Sequence, residues 1–265
     1  MNLRYKGFLD TPSLFLASPI TGVEVLDIDF DTKFLESSFD LPKSGRLGHL
    51  AESFLVKAVS LKYECDRMLT NLQIVKDGLT IGELDLIIES KSMLLHIENA
   101  YKFYLYVEGN DSCEITKWIG PNRNDSLIEK INKLKDHQFP LIFKEESSKY
   151  ITDYGFDLAN ISQQLCFKAQ LFIPFKKNDI TFNRLNGDCV TGVYMSINEL
   201  NELKDVKLKI IPKLDWFITP YAQVKWPNYE RELNQIQEDL DLNKSPLIWI
   251  KLKNGVILKS FIIWW

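Results

Sequence analysis

The chain has 265 residues, 45% of them hydrophobic and 26% charged, with a formal net charge of −4. That composition belongs to an ordinary globular chain of one large or two modest domains, with ample apolar material for a core and no repeat or low-complexity tract. The acidic balance excludes a globally basic surface, so any nucleic-acid partner would have to be held by a local patch.

Four cysteines, Cys65, Cys113, Cys166 and Cys189, stand far apart with no CxxC pair. This argues against a zinc ribbon or a disulfide scaffold and suits a reducing cytoplasm. No segment reaches the roughly 18 consecutive apolar residues of a membrane span. The stretch "SLFLASP" is too short for a signal peptide and lacks its basic start, and neither end carries a lipidation motif. A cytoplasmic protein with no membrane partner is expected.

In chain order, residues 1–43 mix short apolar runs with acidic turns such as "DIDFDTKF" and carry a weak signal. Leu47, Leu50, Ala51, Phe54, Leu55, Ala58 and Val59 then fall at helical spacing and predict an amphipathic helix over 46–62, with Glu52 at the edge of its apolar stripe. Three strand-like runs follow, "MLTNLQIV", "TIGELDLIIE" and "MLLHIENAYKFYLYV", separated by the turn signals "KDGL" and "SKS". "GPNRND" reads as a loop with Asn124 or Asp125 as a helix N-cap. The helix behind it is marked by Leu127, Ile128, Ile131 and Leu134 and is expected to stop before Pro140. A further helix is expected around Asn160 to Gln164, leading into the strand "LCFKAQLFIP".

Beyond Phe175, "GVYMSINELNEL" reads as strand then helix, "LKIIPKLDWFI" as strand, and "NYERELNQIQEDL" as a polar amphipathic helix. The final stretch reads as a hairpin turning at Asn254-Gly255 in type I′ geometry. Trp249 and Phe261 are expected in the core. The tail "FIIWW", with Trp264 and Trp265, is a candidate self-association surface, so a homo-oligomer is one expectation.

Chemistry concentrates on the second hairpin. Period-two alternation puts Glu83, Asp85 and Glu89 on one face of the "GELDLIIE" strand, and His96, Glu98, Ala100, Lys102 and Tyr104 on one face of the next. A turn near Lys91 sets Asp85 across from Glu98 or one step diagonal to it. Opposed carboxylates repel unless a cation compensates; Lys102 and a divalent metal are the candidates, and Mg²⁺ is commonly held by one or two carboxylates with water and substrate phosphate. The same alternation would also describe a hairpin whose acid face meets water. In the helix after "GPNRND", Lys130, Lys133 and His137 share one face, with Arg123 at its start and Lys135 nearby. They form either a local basic strip for DNA or RNA phosphates or a plain solvated face.

The ordered set of a helix carrying Glu52, then "GELD", then "HIENAYK", resembles the PD-(D/E)XK restriction-endonuclease-like superfamily. More closely, "RLGHLAESF", "TIGELDLII", "HIENAYKFYL" and "WIGPNRNDSLIEKINKLKDHQFPL" resemble blocks of the bacterial domain-of-unknown-function family 1853. The resemblance implies an α/β (α+β) fold with an αβββαβ core and a mixed central sheet. Its expected divisions are an N-terminal extension over 1–43, a nuclease-like core over 44–175, and a C-terminal α+β extension over 176–265 packed on the core.

It further implies Glu52 as the helix acid, Asp85 and Glu98 as ligands for Mg²⁺ or Mn²⁺ held weakly without substrate, and Lys102 as the lysine of the site. The lysine is a departure, because the motif places it at position 100, where this chain has Ala100; Lys102 lies about 6.6 Å further along the strand. The implied activity is metal-dependent hydrolysis of nucleic-acid phosphodiesters, with Arg123, Lys130, Lys133 and His137 binding substrate. The alternative is a nuclease-like fold without catalysis that binds nucleic acid or protein.

Overall fold

A computed structural model describes residues 2–26, 45–91, 93–109, 113–177 and 179–265. The run "DIDFDTKF" lies outside the described residues. Helix α1 (Leu3–Asp10) and strand β1 (Val23–Val25) are followed by α2 (Leu47–Lys62), β2 (Arg67–Lys76), β3 (Leu79–Ser90), β4 (Met93–Tyr106) and β5 (Trp118–Ile119). Next come α3 (Leu127–Lys133), a π-helical turn (Leu134–Gln138), α4 (Phe139–Leu141), α5 (Glu145–Asp153) and β6 (Ile161–Pro174). The chain ends with β7 (Val190–Ser196), α6 (Ile197–Glu202), β8 (Lys207–Ile210), α7 (Tyr229–Asp241), β9 (Leu247–Lys251) and β10 (Ile257–Ile263). The strands form one mixed ten-stranded sheet in the order β2-β3-β4-β6-β7-β10-β9-β8, with β1 beside β6 and β5 beside β4.

The chain divides into two compact units. One comprises Ser13–Tyr101 and Ile128–Lys168. Here α2 buries the seven apolar residues named from its spacing, from Leu47 to Val59. Strands β2 and β3 are joined by Asp77-Gly78, whose φ values of 49° and 78° are both left-handed, as a two-residue type I′ turn requires. The core gathers Ile74, Leu84, Ile87 and Leu94 from the strands against Leu141, Ile142, Ile151 and Phe156. β1 runs parallel to β6, pairing Val23 with Gln163.

Two sequence expectations fail in this unit. The helix expected to stop before Pro140 continues, because the π turn leads into α4 with Pro140 in its first turn, where a missing N–H costs nothing. The helix expected around Asn160 to Gln164 is the start of β6. Asp157 caps a single 3₁₀ turn through the Ala159 N–H at 3.0 Å, and Ile161 then enters the sheet. The helix of this region is α5, upstream.

The other unit comprises Met1–Pro12, Lys102–Leu127 and Ala169–Trp265. β7 lies parallel to β6 and to β10, while β9 is antiparallel to both β10 and β8. Ser196 and Glu199 close a reciprocal capping box at the start of α6. The apolar core joins Met195, Leu200, Leu208, Ile236, Ile248, Ile250 and Ile262.

Three further expectations are corrected here. The strand expected over "LKIIPKLDWFI" ends at Ile210, and Pro212 opens a 3₁₀ turn at Lys213–Asp215. The β9–β10 turn is not type I′, since the positive φ falls on Gly255 (89°) and not on Asn254, and the Gly255 N–H closes on the Leu252 carbonyl at 2.9 Å. The tail is exposed only in part: Phe261 and Ile262 are buried strand residues and the Trp265 indole N–H donates to the Pro121 carbonyl at 3.0 Å, which leaves Trp264 as its exposed aromatic. Trp249 is buried as expected.

Lys259 is buried among neutral acceptors. Its ammonium donates to Gln170 Oε1 (2.6 Å) and to the carbonyls of Trp216 (2.6 Å) and Ile218 (3.0 Å), and burial lowers its pKa to about 7. Between about pH 7 and 10.5 the unfolded chain therefore binds this proton and the folded one does not, so stability gains with pH across that window. The thermal midpoint of the wild type should rise relative to Lys259→Met as pH is raised from 7 to 10, and a pH-independent difference would contradict this account.

Candidate active site

The site is built on the β3–β4 hairpin. Paired residues run from Ser90↔Met93 to Leu86↔Ile97. One step further on, Asp85 comes level with Glu98, and the Asn99 N–H donates to Asp85 Oδ2 at 2.8 Å.

The acid face is largely enclosed. Leu94 through Ala100 are all buried, with His96 and Glu98 at 0% exposure, while Asp85 across from them is half-buried, and this overturns the solvated-hairpin reading. Glu89, at the hairpin end, is bound to Arg67 at 2.6 Å.

Fixed donors surround Glu98. The Gln163 amide donates to His96 Nδ1 (3.0 Å) and to the Phe139 carbonyl (2.8 Å). With Nδ1 accepting, the Nε2–H of a neutral imidazole is left to donate to Glu98 Oε1 at 2.9 Å. Burial agrees, since it pushes the His96 pKa down to about 4. Glu98 Oε2 accepts from Gln138 Nε2 at 2.5 Å, and Gln138 Oε1 accepts from the Lys130 ammonium at 2.7 Å.

Burial raises the pKa of Asp85 and Glu98 well above the carboxylate range. The charge of Glu98 pushes Asp85 up further, and the charge of Lys130 opposes the shift on both. Glu52 also acts on Asp85. Its Oε2 accepts from Asn71 Nδ2 at 2.9 Å, and the same amide reaches Glu83 Oε1 at 3.1 Å. Asn71 holds a left-handed φ of 52° inside strand β2. For a side chain other than glycine that is a strained conformation, of a kind concentrated at functional sites.

Glu52, Asp85 and Glu98 therefore share one unit, and Lys130 joins them. Lys102 belongs to the other unit, where its ammonium binds Asp125 Oδ2 at 2.7 Å. Arg123, also there, lies 3.9 Å over the Trp265 ring. Lys133, Lys135 and His137 are exposed.

The expected face of Lys130, Lys133 and His137 is broken by the π turn, marked by the Phe139 N–H bonding back to the Leu134 carbonyl. A π turn is one residue longer than an α turn, so two turns beyond Lys130 the chain presents Gln138 in place of His137. Gln138, Gln163 and Asn71 were invisible as site residues. Their neutral amides carry no motif, and the π turn leaves no signature in apolar spacing.

Among the described residues, no group of three or more His, Cys, Asp or Glu could hold a metal ion by itself. A buried pair of carboxylates fits a divalent cation that takes the rest of its coordination from water and substrate oxygens, as Mg²⁺ does, and does not fit a closed zinc site. No helix among the described residues is long and apolar enough to cross a membrane.

The family described as "Domain of unknown function (DUF1853)" matches residues 20–257, and the chain belongs to it. No curated protein and no solved structure matches the chain.

The electrostatics give a measurable slope. A carboxyl whose pKa is raised on folding holds its proton longer in the folded state, so Asp85 weakens folding as pH rises from about 4 to about 8. His96 acts in the opposite sense between about 4 and 6.5, so the comparison must be with a variant that lacks only the Asp85 carboxyl and keeps His96. The wild type should lose thermal midpoint relative to Asp85→Asn across pH 4 to 8. A gap that does not change with pH would refute the raised pKa.

Proposed function

We propose that the protein is a metal-dependent nuclease that hydrolyses nucleic-acid phosphodiesters, using a PD-(D/E)XK-like site with Asp85 and Glu98 as the ligands of Mg²⁺ or Mn²⁺. The observation that carries this reading is the buried, mutually repelling pair Asp85 and Glu98, an arrangement that costs stability unless a cation is to be held. The chain order of α2, β2, β3, β4, α3 and β6, with Glu52 delivered from the helix, supports it.

A bound divalent cation would supply Lewis acidity to a phosphate oxygen and acidity to a water. The chain's own residues do the positioning. The Asn99 N–H fixes Asp85 Oδ2, while His96 and Gln138 fix the two oxygens of Glu98, so that neither carboxylate must reorganise when charge arrives. Glu52, tethered by Asn71, is held as an outer acid that would accept a hydrogen bond from the cation's hydration shell. In the reaction a water oxygen forms a new bond to phosphorus and the ester P–O bond breaks. The departing sugar oxygen takes up a proton, leaving a phosphate monoester and a free hydroxyl. Exposed Lys133 and Lys135, with His137 beside them as a hydrogen-bonding group, provide a local surface for flanking phosphates.

The test combines calorimetric titration with Mn²⁺ and cleavage assays on single- and double-stranded DNA and RNA. Wild-type protein should bind Mn²⁺ and cleave at least one substrate. Asp85→Asn and Glu98→Gln, still folded, should each lose on the order of a hundredfold or more in both. Nucleic-acid binding with no metal dependence and no cleavage would replace the enzyme with a binding module on the same fold.

A further inference from the structure

The motif's lysine position on β4 holds no lysine. Position 100 is Ala100, buried at 4%, and Lys102 is engaged with Asp125. A cation nevertheless reaches the carboxylate pair by another route. Lys130 Nζ donates to Gln138 Oε1 at 2.7 Å, and Gln138 Nε2 donates to Glu98 Oε2 at 2.5 Å. The amide can be oriented only one way, with its oxygen toward the ammonium and its nitrogen toward the carboxylate. The π turn decides which side chain makes the link: in an uninterrupted α-helix, His137 would return over Lys130. The single added residue puts Gln138 in that place. Such one-turn π segments are costly and recur at functional sites.

We infer that Lys130, carried by the helix and not by β4, is the catalytic lysine, and that Gln138 is the residue that positions it against Glu98. The inference rests on the hydrolytic reading above. The charges decide the role. Asp85 and Glu98 balance a divalent cation, and Lys130 offsets the outer charge of Glu52, so that the centre does not repel a phosphodiester and the ammonium can stabilise the extra negative charge that develops on phosphorus oxygens as water adds. An ammonium has three donors, so one can hold Gln138 while another meets a phosphate oxygen. Gln138 contributes no charge of its own and acts through Lys130 and Glu98.

The experiment compares Lys130→Ala, Lys130→Arg, Gln138→Ala and Lys102→Ala with wild type and Asp85→Asn, on whichever substrate the wild type cleaves. The readouts are kcat, KM, Mn²⁺ affinity by calorimetry and thermal midpoint. Lys130→Ala should lower kcat by about a hundredfold or more, the scale for removing one preorganised donor to a developing oxyanion, with KM changed far less. Mn²⁺ binding should persist or tighten in Lys130→Ala, because a competing positive charge is gone, whereas Asp85→Asn abolishes it. Lys130→Arg, which keeps the charge, should recover part of the loss. Gln138→Ala should cost about tenfold or more in kcat, as loss of a supporting partner does. A structural role alone would lower the thermal midpoint without this split between kcat and metal affinity. Wild-type turnover in Lys130→Ala alongside an inactive Asp85→Asn overturns the inference and leaves the nuclease reading standing. A loss confined to Lys102→Ala overturns it in favour of the strand lysine. A wild type that neither binds Mn²⁺ nor cleaves overturns both.

Discussion

Placing two carboxyl groups side by side inside a sheet opposes folding twice, once by removing each from water and again by their mutual repulsion. Asp85 and Glu98 are held in that position, and the arrangement of their unit follows from it. Proteins relieve such a pair by sharing protons, by supplying donors, or by admitting a cation. All three are visible in outline here. Both pKa values are raised, Asn99, His96 and Gln138 present donors, and Lys130 brings a positive charge through an amide. An ordinary surface hairpin needs none of these devices. Their concentration on three carboxyl oxygens separates this pair from a chance run of acids.

Histidine and lysine divide the work by where they sit. His96 is fully buried, and its neutral form is the one burial favours, so it serves as a fixed hydrogen-bond donor and carries no charge. Gln163 enforces this by donating to Nδ1 while also holding the Phe139 carbonyl. Positive charge comes instead from Lys130, part-buried on α3, whose long stem carries the ammonium to Gln138. A protonated histidine in the same position would have neutralised Glu98 directly and closed the pair to any other cation. Keeping the imidazole neutral leaves the pair able to accept one.

Much of this was legible in the sequence. The seven buried residues of α2, the three-stranded run and the near-opposition of Asp85 and Glu98 all follow from period-3.6 and period-2 spacing and two short turns, features that depend on local chemistry. What spacing could not reveal is whether a charged face meets water or protein, because alternation is identical in both cases and burial is decided by distant segments. The Phe139 and Gln163 contacts that enclose His96 come from residues some 40 to 70 positions away. The partner of Lys102 is illegible for a related reason: Asp125 lies 23 residues on, in a loop whose shape no periodicity encodes. The link from Lys130 to Gln138 is hidden too, because one π turn changes which side chains share a face.

Asn71 shows a different kind of illegibility. In a strand, a residue with φ of 52° interrupts the pleat and costs on the order of 1 to 3 kcal/mol, and asparagine tolerates it better than most side chains. The pairs on either side, Thr70↔Leu86 and Leu72↔Leu84, keep one register, so the kink does not shift the hairpin. Its effect is local: the Asn71 amide bridges the Glu52 and Glu83 carboxylates beside Asp85. Without that bridge, Glu52 on its helix and Glu83 on its strand would repel each other and turn toward water, as exposed like charges do. With it, an acid from α2 is held at the margin of the buried pair, close enough for its charge to act on Asp85. The strain in β2 and the π turn after α3 thus act alike. Each spends local backbone regularity to place an amide where a carboxylate must be held still, and together they fix both flanks of the Asp85–Glu98 pair.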